Sequence, residues 1–418
     1  MASVGDRSRF RLGRPKWSLA LPARSTEEAH RASSPLELLF DLCFVVAVSQ
    51  AGRELNSYLA SGRVGHAVFS YILVFFAIWW AWVNFTWFAS AYDADDLPYR
   101  LLTFVQIAGV LVLAAGVPRA FAHGDFVTMT LGYLITRVAM LIQWLRAAAG
   151  DPARRGVALR YAIGITVVQM CWVGRLFLSR DAGLVGFGIL ALAEMLIPAW
   201  AERHGATNEE ADAAGAGSTW HPGHIAERYG LFTIIVLGEC VEAATVTIQA
   251  VDSARGLPAG LLGVAAGGVL MVFAMWWWYF EHPAEEALRA SRSSSFLWGY
   301  VHYFVFASAA ALGAGLELSA DHLGIRHSAS AEVAGLTVAV AVCTYLLTTG
   351  FLHTRIADSG GLPLWKMAPF LAVILVLGAC APALSVGLAL PLMGAVTVAL
   401  VAADQVTTDR HSRRSQPT

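Results

Sequence analysis

Residues 65–91 read GHAVFSYILVFFAIWWAWVNFTWFASA, a block without Asp, Glu, Lys or Arg. A helix rising about 1.5 Å per residue needs about 20 mostly apolar residues to cross a bilayer, and this block exceeds that length. A membrane β-barrel would instead show alternating segments of about ten residues. The block therefore sets the fold class as all-α and membrane-spanning. Comparable apolar runs cover 36–59, 100–119, 126–148, 157–178 and 183–202, then 225–251, 258–281, 297–318, 332–353, 364–384 and 387–404. Pro382 and Pro391 interrupt the last two. The expectation is a polytopic protein of about twelve transmembrane helices.

Composition agrees. The chain has 418 residues, 57% hydrophobic and 14% charged, with mean hydropathy +0.57. Soluble domains are about 45–50% apolar and about 25% charged, so a soluble enzyme is excluded. A net charge of -1 with no basic stripe argues against a nucleic-acid partner. The partners left are the lipid bilayer and a small-molecule solute or hydrophobic substrate. Cys43, Cys171, Cys240, Cys343 and Cys380 lie scattered in apolar runs without a CxxC, so no disulfide framework or zinc site is expected.

Residues 1–35 are basic (Arg7, Arg9, Arg11, Arg14, Lys16, Arg24, Arg31) and lack an apolar core, which predicts a cytoplasmic N-terminal segment and no cleavable signal. Placing the N-terminus inside puts Arg146, Arg154, Arg155, Arg203, Arg289, Arg292, Arg355, Lys366, Arg410, Arg413 and Arg414 on the cytoplasmic side. Arg63, Arg119, Arg180, Arg255 and Arg326 fall outside. The positive-inside rule thus predicts an inner-membrane protein with both termini cytoplasmic.

The pattern Phe76-Ala77-Ile78-Trp79-Trp80-Ala81-Trp82 returns as Phe273-Ala274-Met275-Trp276-Trp277-Trp278-Tyr279, and the apolar run opened by Glu37 is echoed by one opened by Glu227. This predicts two parallel six-helix repeats, 36–202 and 224–404, joined by a polar loop 203–223 and followed by a cytoplasmic tail 405–418.

Ionisable side chains inside a bilayer are costly and need partners or a wet cavity. Glu37 and Asp41 are four apart and share a helix face. Glu239 lies about three turns into the seventh apolar run, near mid-membrane, and Glu242, three residues on, approaches the outer surface. Asp41, Glu239 and Glu242 are candidate proton carriers. Arg137 needs a carboxylate, with Asp41 and Glu239 as candidate partners. As functional residues Glu194 and His302 are weaker candidates, His302 reading first as a satisfied core histidine. His221-Pro222-Gly223-His224 with Glu227 has a metal-like spacing, but HxxH alone is weak, so neither a metal nor a cofactor is predicted. Asp93, Asp95 and Asp96 form an acidic turn ahead of Arg100, with one of the latter two able to cap the next helix. Their DxDD string resembles the proton-donor motif of soluble class II terpene cyclases. Three consecutive Trp residues cannot all face lipid, so Trp79, Trp80, Trp276, Trp277 and Trp278, with Phe40 and Phe44, are candidates to wall a cavity.

The stretch 35–45, PLELLFDLCFV, with Asp93 to Arg100, Pro118-Arg119-Ala120-Phe121, Tyr133 with Arg137, and HIAERYGLFTIIVLGE over 224–239, resembles the bacterial low temperature requirement A family. The match is strong over 35 to about 282 and mainly hydropathic beyond. Cys240 stands where the family pattern leads one to expect Ser, and Glu281-His282 where an Asp is usual. The resemblance implies a multi-span inner-membrane protein and no settled activity. Structural pairing is expected for Glu37, Arg100, Arg137, His224, Glu227 and Arg228. Three functions are compatible with these residues: a proton-linked transporter or permeation protein, an acid-initiated intramembrane enzyme acting on an isoprenoid or lipid, and a membrane stress sensor or scaffold.

Overall fold

At Ser34-Pro35-Leu36-Glu37 the chain turns into its first helix by local chemistry. Ser34 Oγ accepts the Glu37 N–H, the Glu37 carboxylate accepts the Ser34 N–H at 2.8 Å, and Pro35 occupies the first helical position. Similar devices recur: Asp96 Oδ1 accepts the Tyr99 N–H, Asp125 Oδ1 the Val127 N–H, and Ser330 Oγ the Val333 N–H. The computed structural model describes residues 20–23, 31–203, 220–255, 259–282, 284–290, 292–324, 329–356 and 362–415. Most of the basic segment 1–35, most of the loop 203–223 and residues 416–418 of the tail lie outside the described residues.

The long helices are α1 (Pro35–Ala60), α2 (Val64–Tyr92), α3 (Leu97–His123), α4 (Val127–Gly150), α5 (Arg155–Arg175), α6 (Arg180–Arg203), α7 (Pro222–Arg255), α8 (Ala259–Phe280), α9 (Arg292–Leu323), α10 (Ala331–Phe351), α11 (Leu364–Ala379) and α12 (Val386–Ser415). No strand occurs among the described residues. Ten of these helices, all but α7 and α11, are long and apolar enough to cross a membrane. The expected twelve spans thus stand at ten by length and composition. At 16 residues α11 falls short of a crossing, and α7 carries Glu227, Arg228, Glu239 and Glu242. The expected break near Pro382 is real: the chain leaves α11 at Cys380, makes a short turn Ala381–Leu384, and re-enters helix after Ser385 at φ 68°. Pro391, by contrast, lies inside α12.

Two compact units partition the chain. One holds residues 88–108 and 134–219 with the first 26; the other holds 27–87, 109–133 and 220–418. In the first unit Trp144 stacks on Tyr161 with ring centroids 4.2 Å apart, and Arg160 and Tyr161 of α5 bond Ala201 and Glu202 at the end of α6. In the second unit α9 packs against α1, α7 and α10, and 67% of its membrane window is buried, so it is central there.

In the second unit α8 and α12 approach to backbone contact. A Cβ at Gly263 would strike the Gly387 carbonyl oxygen, and one at Gly267 would lie 2.6 Å from Pro391 N. Pro391 has no N–H to give the carbonyl four residues back, which is that of Gly387. Small residues let membrane helices approach to backbone contact. Gly263→Ala is expected to destabilise by about 1–3 kcal/mol through overpacking, read as a lower unfolding midpoint in detergent. Gly238, with nothing near its Cβ position, is the matched control, since its alanine variant meets no neighbour.

Candidate functional site

Glu37 and Asp41 stand one turn apart on α1, and His224 and Arg228 one turn apart on α7, so two side chains from each helix can meet two from the other. They do. Arg228 is fully buried, with Nη1 3.0 Å from Glu37 Oε1 and Nη2 donating to Asp41 Oδ1 at 2.5 Å. His224 Nε2 lies 3.2 Å from Glu37 Oε1. Trp82 Nε1–H of α2 donates to the same Asp41 oxygen at 2.7 Å. Asp41, expected as a proton carrier, is thus held in a buried charge cluster. Phe40 and Phe44 beside it are buried too, with Phe40 stacked on Phe85 at 3.8 Å.

Two recesses open on the α7–α9 pair. The larger, about 330 Å³, lies at the start of α7 and collects His221, His282, His302 and His353 with Glu227, Glu285 and Tyr279. His282 Nε2 lies 3.0 Å from Asp404 Oδ2, whose other oxygen accepts the Leu362 N–H. His302 is bonded to Tyr279 Oη and the Trp298 carbonyl. The smaller, about 120 Å³, lies farther along α7 and collects Glu239, Glu242, Glu317, Arg53 and Ser49. Glu239 is partly buried and makes no hydrogen bond or ion pair with any described residue. Twelve residues of α7 separate Glu227 from Glu239, about 18 Å at 1.5 Å per residue. Tyr229, Phe232, Phe306 and Trp82 fill that interval, all at most 1% exposed, with Trp82 stacked on Phe232 at 4.5 Å and Phe232 edge-on to Phe306 at 4.9 Å.

Other expected residues fall elsewhere. In the first unit Arg137 pairs with Glu194 at 2.9 Å, both buried, so its partner is neither Asp41 nor Glu239. The acidic turn is structural in its contacts. Asp96 caps α3 and binds buried Arg146 at 2.6 Å, Asp95 makes an exposed two-point pair with Arg100, and Asp93 accepts the Asp95 N–H. Asp96→Ala is expected to lower stability by about 1–3 kcal/mol, because it removes a charged hydrogen bond to buried Arg146 and a cap from α3. Asp95→Asn, which suits the left-handed backbone at φ 50°, should leave the unfolding midpoint close to that of the parent, since the Arg100 pair it breaks is exposed. A cyclase-like role for the turn would show Asp95→Asn folded and inactive.

In the second tryptophan block the three side chains diverge around α8. Trp276 and Trp277 are 47% and 53% exposed on the outside of α8, and only Trp278 turns inward, donating to Thr349 Oγ1. Trp79 and Trp80 are buried against Tyr300 and Tyr303. In the HxxH segment His221 Nδ1 accepts the His224 N–H, Glu227 accepts the Ser33 N–H, and the His224 ring faces Glu37. Sequence reading passed over Glu317, His353 and Asp404, and named His282 only as a departure from the family pattern. The first is an acid inside an apolar run, the same signal that singled out Glu239. The others need the fold, since they come from three segments far apart in the chain.

The family model described as bacterial low temperature requirement A protein (LtrA) matches residues 32–403, and the chain belongs to that family. An uncharacterized protein of Rhizobium meliloti (strain 1021) is 28% identical over 320 residues, covering 73% of this chain and 74% of its own length. A multi-pass membrane protein in contact with the lipid bilayer follows from the family and the ten spans together.

Proposed function

We propose that this LtrA-family chain is a proton-linked carrier or permeation protein for a small solute, with the α7–α9 pair as its path. The observation that carries the reading is Glu239. It opens on a polar recess without a described partner, whereas Glu37, Asp41, Asp96 and Glu194 are each held by an arginine. A carboxylate in a low-dielectric path that can gain and lose a proton without breaking an ion pair suits coupling. Two recesses spaced along one helix pair, one at the start of α7 and one at its middle, with Trp82, Tyr229, Phe232 and Phe306 packed between them, fit an occluded state between inward- and outward-open forms. In this reading Glu239 takes a proton from its recess, and rearrangement of the aromatic plug joins the solute to the histidine-lined side. Asp41 and Arg228 hold α1 to α7 during that motion.

The proposal extends to twelve spans in two parallel six-helix repeats, inner-membrane placement and both termini in the cytoplasm, which the arginine distribution supports. Acid-initiated cyclisation draws less support, because Trp276 and Trp277 face outward and Asp95 and Asp96 are paired. Metabolite profiling of cells with and without the gene, on medium and membrane extracts separately, tests the reading. A compound displaced unchanged across the membrane is the expected result. A new cyclised species would replace transport with catalysis, and no change in either fraction would leave the sensor role.

A further inference from the structure

Between α4 and α5, within the first unit, lies an apolar recess of about 280 Å³. That is near the lower end of the size range of ligand pockets, about 300–1,000 Å³. Leu134, Val138 and Leu141 of α4 face Ile165, Met170 and Val173 of α5 across it. Val138 is 48% and Met170 62% exposed, so the recess opens sideways, toward the acyl chains of a bilayer. Three polar side chains reach it. Arg137 is neutralised by Glu194, and Thr166 Oγ1 donates to the Ala162 carbonyl at 2.8 Å. Gln169 differs. It is 5% exposed, and neither its Oε1 nor its Nε2 has a hydrogen-bond partner. Native proteins rarely leave a buried amide with both ends unmet, and such a group calls for a missing partner.

We propose that this recess binds the polar end of a neutral lipid carrying a hydroxyl donor beside a carbonyl acceptor, the chemistry of a diacylglycerol. On binding, the Gln169 side chain turns its amide into the recess, where the lipid hydroxyl donates to Oε1 and the ester carbonyl accepts from Nε2, while the acyl chains leave through the lateral opening. Three observations select that class. The amide offers one donor face and one acceptor face, so a ligand with acceptors alone meets half of it. The Arg137–Glu194 pair is electrically closed, so no anionic headgroup is called for. The recess lies midway along α4, at a depth where a charged or zwitterionic headgroup is penalised.

The test uses the full-length protein in phosphatidylcholine nanodiscs with a diazirine-tailed diacylglycerol as probe and peptide mass spectrometry as readout. Cross-links are expected in peptides covering 134–173. Excess unlabelled diacylglycerol should reduce them at least fivefold, and triacylglycerol, which lacks the donor, should not. Gln169→Leu, close in shape and without polar atoms, should lose labelling roughly tenfold, the factor for one lost buried hydrogen-bonded pair. Its unfolding midpoint should not fall, since the replaced amide was unmet. Val138→Trp, which fills the recess from its lipid side, should also abolish labelling. Labelling no stronger than with a diazirine alkane, equal competition by triacylglycerol, or full labelling of Gln169→Leu would each overturn the proposal. The second of these would mark a general lipid groove, and the third a water in place of the lipid.

Discussion

Arg228→Met is expected to destabilise the protein by about 3–5 kcal/mol, the cost of stripping the cation from a buried ion cluster. Arg228 is fully buried and touches both Glu37 and Asp41, so its loss leaves two carboxylates facing each other without a counter-charge. His224 remains beside Glu37, but it lies on the far side of that group from Asp41 in the chain of contacts. Only Trp82 would still serve Asp41. The measurement is the thermal unfolding midpoint in detergent, with gel-filtration yield as a second reading. The decisive companion is the triple variant Arg228→Met, Glu37→Gln, Asp41→Asn. Removing all three charges leaves nothing uncompensated, so most of the lost stability should return. A single Arg228→Met variant with an unchanged midpoint would mean that the cluster does not hold α1 to α7, and Asp41 would again stand as a proton carrier.

The sequence could show that Glu37 and Asp41 share a face, because helix periodicity alone decides that. It could not show which arginine they meet. That depends on how each helix is rotated about its axis and which neighbour it has, and apolar runs carry little information on either. Arg137 illustrates this: its need for a carboxylate was legible, while its partner Glu194 was not. The tryptophan block illustrates it again. Three consecutive Trp must diverge around a helix, and they do, but only the packing decides that Trp278 is the inward one. The cap at the Asp95–Asp96 turn was legible, because a cap is a local device. Ser34-Glu37, Asp96 and Ser330 act within their own turn and need no tertiary context. The histidine recess was the least legible, because His282, His353 and Asp404 meet only after α8, α10 and α12 have packed.

Glu239→Gln should separate function from stability. Glu239 has no described hydrogen bond or ion pair, so exchanging its carboxylate for an amide of the same shape leaves no group stranded. The unfolding midpoint should stay within about 0.5 kcal/mol of the parent, as for most changes away from cores and networks. Transport should respond differently. An amide cannot cycle a proton, so accumulation driven by an imposed pH gradient should fall at least about tenfold, the equivalent of about 1.4 kcal/mol. Solute exchange at equal pH, which needs no net proton movement, should persist. Proteoliposomes carrying a trapped pH dye and the solute identified by profiling provide both readings in one preparation. Glu242, which is exposed at the rim of the same recess, is the internal comparison. Its Gln variant should retain most of the gradient-driven uptake, because a solvated carboxylate at the rim changes local charge without gating the path. Equal losses from the two variants would point to the summed charge of the recess, whereas full gradient-driven uptake by Glu239→Gln would remove the carboxylate-based mechanism.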